Sequence, residues 1–120
     1  MPVTTDPRAL AERYYSAVNA LDFDAIEAFF AEDAVYYSVK VGSLDGRTEI
    51  LAAFRRYFAE YPDHVARNSL VEALSPLSVR AVWSLTATSA TTGQPFERQG
   101  EEILTFDEAG KILRVEVIDR

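Results

Sequence analysis

The sequence predicts an α+β fold, a cone-shaped barrel in which a strongly bent, mostly antiparallel sheet wraps on three helices from the N-terminal half. Three observations carry that expectation. Apolar residues recur at spacings of three and four up to Tyr61, and proline follows at position 62. Beyond it the pattern changes to long β segments separated by short turns such as Thr91-Thr92-Gly93-Gln94 and Asp107-Glu108-Ala109-Gly110. Long strands with one apolar face need cover, which amphipathic helices supply. At 120 residues and 48% hydrophobic content, the chain is expected to build one core and one domain, 1–120, rather than two.

The elements follow in order. Asp6 and Pro7 mark a helix start, a capping side chain followed by a residue whose missing N–H costs nothing there. Leu10, Tyr14, Ala17, Val18 and Leu21 then share one face. Asp22 caps a short second helix with Phe23, Ile26, Phe29 and Phe30 on its apolar side, and Asp33 ends that pattern. Val35 to Val41 reads as a strand and Gly42 to Gly46 as a loop. A third helix is expected from Arg47 to Tyr61, stopped by Pro62, with Ile50, Phe54, Tyr57, Phe58 and Tyr61 on one side. Four antiparallel strands complete the chain: His64 to Leu74, Leu77 to Ala90, Phe96 to Phe106 and Lys111 to Ile118.

Charge and composition narrow the function. The net charge is -7, and the 12 Lys and Arg are interspersed with acids. Arg55-Arg56 is the one tight basic pair and reads as a solvated helix face. That balance argues against nucleic acid and anionic membranes as partners. No apolar run approaches the roughly 20 residues of a membrane span. Residues 1–6 lack the basic start and apolar run of a secretory leader. Cysteine is absent, which excludes disulfides and thiolate metal sites and fits a cytoplasmic location. No group of residues has metal-ligand spacing and no glycine-rich phosphate loop occurs, so no cofactor is expected.

Arg13-Tyr14, Asn19-Ala20, Asp22, Asp24, Ile26, Phe30-Ala31 and Asp33-Ala34 resemble, without a gap, the opening of bacterial ketosteroid isomerases. Gly46, Ile50 and Phe54, then Phe106, Gly110-Lys111 and the closing strand, continue the match. The wider resemblance is to the SnoaL-like and nuclear-transport-factor-like superfamily, which implies the cystatin-like α+β cone, a homodimer and a pocket for a small hydrophobic molecule. In ketosteroid isomerase a carboxylate moves a proton while a tyrosine and a protonated acid hold the enolate oxygen. By resemblance, the tyrosine falls on Tyr14, the protonated acid on Glu102 and the base position on Ser38. An alkyl hydroxyl is too weak a base for carbon, so the resemblance implies a retained pocket with altered or absent chemistry, of isomerase, cyclase or dehydratase type if active. The alternative is a non-catalytic binding or association module of the same fold.

The residues themselves leave two readings for each candidate. Tyr14 is a core side chain with a tied hydroxyl, or a donor facing the pocket. Glu102 shares strand parity with Leu104 and Phe106. It is then an inward carboxyl with a raised pKa, or a solvated residue at the mouth paired with Arg98. Asp119 has the parity of Val115 and Val117, and is either a replacement base or a frayed chain end. Tyr36, Ser38, Phe54, Phe58, Trp83, Leu85, Leu104 and Val115 are expected on the pocket wall, with Tyr37 facing out. His64, the sole histidine, reads as a loop or strand-start residue. Val39, Val41, Val82, Ile112 and Ile118 are expected on the outer sheet face, where the homodimer would form.

Overall fold

The structure, a computed structural model, describes residues 6–38 and 42–119. Helix α1 spans Pro7–Asn19 and α2 Phe23–Phe29, followed by strands β1 (Phe30–Ser38) and β2 (Gly42–Asp45), helix α3 (Arg47–Glu60), and strands β3 (Val65–Ser75), β4 (Ser78–Thr88), β5 (Pro95–Phe106) and β6 (Ile112–Asp119). The capping signals act as the sequence predicts: Asp6 accepts from the Arg8 N–H and Asp22 from the Ala25 N–H, satisfying otherwise orphaned first-turn donors.

The described strands form one open sheet in the order β2-β1-β6-β5-β4-β3, antiparallel except where β1 runs parallel to β6. Helices α1 and α3 lie across its concave side, α1 against β3 and β4 and α3 against β1 and β2. Ile26, Phe30, Ile50, Val79, Leu104, Phe106, Ile112 and Val115 are fully buried between the layers. This is the α+β cone.

Two polar ties fix the helices to the sheet. The Asn19 side chain closes a two-point bridge to β3, donating to the Ala66 carbonyl (2.9 Å) and accepting from its N–H (3.0 Å). Lys111 Nζ donates to the Ala28 carbonyl (2.6 Å), a cation placed at the negative end of α2.

The structure corrects three expectations about the elements. Strand β1 begins at Phe30, directly after α2, rather than at Val35; Phe30 pairs with Ile112, and the ladder is irregular before it resumes at Val35. Residues 42–45 are a strand and not a loop, pairing antiparallel with β1 from Val35 to Ser38. Ile112 faces the core instead of the outside. The pairing of Phe106 with Ile112 and of Thr105 with Arg114 leaves Leu113 as an extra residue in β6, and such a bulge inverts parity on one side of itself. Ile118 and Tyr37 do face outward, at 43% and 45% exposure. The expected outward positions Val39 and Val41 lie outside the described residues.

Candidate functional site

The inner face of the sheet is ordered in rows. Ser38, Val117, Glu102 and Ala81 lie side by side across β1, β6, β5 and β4. Gly100, Trp83 and Asn68 form the next row, and Arg98, Leu85 and Ala66 the one after. Above these rows, Tyr14, Tyr15 and Val18 descend from α1, and Phe54, Tyr57 and Phe58 from α3. The space between is a partly open cavity of about 170 Å³. An apolar cavity of roughly 150 Å³ accepts a benzene ring, so this one suits one or two rings. It is smaller than the roughly 300 Å³ from which most drug-sized pockets begin.

Gly100 creates part of that space. A Cβ there would meet the Ile118 carbonyl oxygen at 2.7 Å and the Trp83 ring at 2.9 Å. The bare backbone lets the indole lie close against β5 as a wall.

Glu102 is 8% exposed, and among the described residues no cation pairs with it. Burial pushes its carboxyl up to about 7, partly offset by the neighbouring Tyr15 hydroxyl. Tyr14 and Tyr15 both lie within the electrostatic reach of Glu102 and of Tyr36, and burial first and these neighbours second hold both phenols far above their ordinary value. The Tyr15 hydroxyl sits beside the carboxyl, and among the described residues it makes no hydrogen bond of standard geometry. This end of the cavity therefore gathers a protonatable carboxyl and neutral phenol donors in a dry setting.

The opposite end holds a second polar group. His64 is buried, stacked on Phe58 (5.2 Å between centroids) and edge-on to Tyr57 (5.4 Å). Burial first, then the Arg98 charge, lowers its pKa, so the imidazole is neutral near pH 7. Burial raises Tyr57 to about 12. The Arg98 guanidinium lies 5.6 Å from the Trp83 ring centroid.

Of the residues expected on the wall, Tyr36, Ser38, Phe54, Phe58, Trp83 and Leu85 line the cavity, together with Tyr14 and Glu102. Leu104 and Val115 do not: they pair with each other one row deeper, fully buried in the core. Asp119 pairs through its backbone with Gly100, and its side chain lies outside the described residues. Sequence reasoning missed Tyr15, Asn68, Arg98 and His64 as cavity residues. For His64 no local signal sufficed, since its place depends on Tyr57 and Phe58 of α3 packing against it. For Tyr15 the signal was weak, because it sits one step, about 100°, from Tyr14 on α1.

A family model described as a SnoaL-like domain matches residues 11–115. The chain belongs to the SnoaL-like domain family. Solved structures similar to this SnoaL-like chain share its fold at low identity. The epoxide hydrolase/cyclase-like enzyme SalBIII, described in pyran ring formation in the polyether salinomycin, is 19% identical with a TM-score of 0.84, covering 95% of this chain and 90% of its own. RV0760c from Mycobacterium tuberculosis, solved in complex with estradiol-17beta-hemisuccinate, is 18% identical with a TM-score of 0.82, covering 93% and 92%. A cystatin-fold protein from Novosphingobium aromaticivorans is 22% identical with a TM-score of 0.79, covering 94% and 97%. No curated protein matches the chain by sequence. Among the described residues no helix of this SnoaL-like chain is long and apolar enough to cross a membrane.

Proposed function

We propose that the chain is a small-molecule enzyme that moves a proton at a carbon next to a carbonyl or enol, as an isomerase, cyclase or dehydratase does. The observation that carries this reading is the buried Glu102 carboxyl, facing the cavity beside the phenols of Tyr14 and Tyr15. With a pKa of about 7, both its forms are populated near neutral pH, the condition under which one group serves as base and then as acid. The carboxylate takes the proton, the C–H electron pair moves toward the oxygen, and Tyr14 donates a hydrogen bond to the charge that develops there. Glu102, now protonated, returns the proton to the shifted position. Ser38 is a polar wall residue. The ligand is a mostly apolar molecule of one or two rings, and no cofactor enters the step.

A second reading, a binding module without turnover, draws on Ser38: the position that holds a carboxylate base in ketosteroid isomerase carries a hydroxyl here. SalBIII is described as an epoxide hydrolase/cyclase-like enzyme and RV0760c was solved with a steroid ester bound, and the fold by itself does not choose between the two readings. The reading also includes a cytoplasmic homodimer formed through the outer sheet face.

Proton exchange separates the two. Incubated with 2-tetralone in D2O and followed by NMR, the wild-type protein should exchange the ketone's α-protons faster than buffer, and Glu102→Gln should return the rate to that of buffer. Quenching of Trp83 fluorescence without exchange would favour the binding module. Neither signal would remove the reading altogether.

A further inference from the structure

Of the aromatic side chains that line the cavity, one stands apart. A chain of ring contacts runs through the others: Tyr14 to Phe30 (5.7 Å between centroids), Phe30 to Phe54 (6.0 Å), Phe54 to Phe58 (6.3 Å) and Phe58 to His64 (5.2 Å). Tyr15, Tyr36 and Tyr57 join it at Tyr14, Phe54 and Phe58. The Trp83 indole lines the same cavity, yet among the described residues it meets no aromatic ring. Its outer carbons Cζ2 and Cη2 lie by Gly100, where a Cβ would come within 2.9 and 3.0 Å of them. The Arg98 guanidinium approaches one face, 5.6 Å from the ring centroid. The largest ring system in the cavity is therefore backed by bare strand, with a cation on one face and no ring against the other.

We propose that Trp83 is the ring-recognition residue of this cavity, a plate on which a flat, conjugated ring of the ligand stacks. The assignment rests on Glu102 and Tyr14 meeting the ligand's oxygen, and it narrows the ligand to a fused aromatic or otherwise conjugated bicycle. Position supports it. Trp83 pairs with Gly100 and Ala81 with Glu102 on the same two strands, so the indole row lies two residues from the Glu102 row, about 7 Å at the strand rise. That offset is comparable to the span from a phenol or enol oxygen, across the ring that bears it, to a second ring fused beyond. With no side chain at position 100 to lift it, the indole stays back against β5 and leaves the space in front of it to the ligand. Two π-systems gain from offset or edge-on contact beyond the area they bury, and a saturated ring forgoes that gain. A flat bicycle also suits a cavity of about 170 Å³.

The test compares two phenols by equilibrium dialysis: 2-naphthol, and 5,6,7,8-tetrahydro-2-naphthol, which keeps the phenol ring and the skeleton but saturates the far ring. The wild-type protein should bind 2-naphthol about three- to tenfold more tightly, the worth of one aromatic pair, although the saturated probe is the more hydrophobic. Trp83→Leu should remove that preference by weakening 2-naphthol alone. Trp83→Phe, which keeps a smaller ring in place, should retain part of it. Tyr14→Phe should weaken both probes alike. If both probes bind equally and respond to Tyr14→Phe, the stacking role is refuted and the Glu102 reading stands. A preference undiminished in Trp83→Leu, or in Trp83→Phe should the leucine variant fail to fold, also refutes it, since the flat ring is then read elsewhere. Binding of neither probe overturns the stacking role together with the reading beneath it.

Discussion

Glu102 is held by its neighbours in a state that a solvated glutamate does not adopt, and the protein's stability should register it. In the folded state its midpoint lies near 7 against 4.5 for the free side chain. Below pH 4.5 the carboxyl is protonated in folded and unfolded chains alike, so nothing is lost there. Between pH 4.5 and 7 the unfolded chain ionises while the folded one keeps its proton, so stability falls across that range and levels off above it. At about 1.4 kcal/mol per pH unit the loss approaches roughly 3 kcal/mol. Urea unfolding should show it: between pH 5 and pH 8, wild type should lose about 2–3 kcal/mol relative to Glu102→Gln. The inward parity of this residue was legible in the sequence from Leu104 and Phe106, because β5 runs straight through that region. His64 was not legible as a cavity residue. Its place depends on α3 arriving overhead with Tyr57 and Phe58, a long-range event that no local pattern encodes.

At the scale of elements, the strands are shaped by positions where regular alternation breaks. Gly100 is one: the row of Gly100, Trp83 and Asn68 forms the cavity wall only because nothing projects from position 100. Gly100→Ala should destabilise the fold by about 1–3 kcal/mol through overpacking, and tilt the indole, shifting the Trp83 emission maximum. Unchanged unfolding and emission would mean that the wall has slack. Helix boundaries read well from sequence because Asp6, Pro7, Asp22 and Pro62 are local signals. The errors sit where strand pairing overrides local composition. Glycine and serine at 42 and 43 signalled a loop, but edge pairing with β1 makes 42–45 a strand. The Leu113 bulge turned Ile112 inward against the expected alternation.

For the whole molecule, the inner face of the sheet is committed to the helices and the cavity, which leaves the outer face to account for. Ile118, Glu101, Val82 and Leu70 form a row across β6, β5, β4 and β3 on that side, with Ile118 at 43% and Leu70 at 41% exposure. Beside the row, Arg80 binds Glu72 (3.1 Å) and Glu101 (2.5 Å), a polar rim next to apolar area. The proposed homodimer predicts a light-scattering mass of twice the chain for wild type and of one chain for Leu70→Glu. A monomeric wild type would remove the dimer without touching the cavity. The α+β cone itself was legible from the order of helical and β patterns, since few arrangements cover the apolar face of so long a sheet. The volume enclosed was not, because it depends on how closely Trp83, Phe54 and the α1 tyrosines approach one another.

The central claim is that Glu102 is a dry, protonatable carboxyl poised in a ligand cavity. The most direct test is the NMR titration of its side-chain carboxyl carbon in glutamate-labelled protein, assigned by its loss in Glu102→Gln. A dry Glu102 carboxyl titrates with a midpoint near 7; a midpoint near 4.5 would show a solvated carboxylate and contradict that assignment.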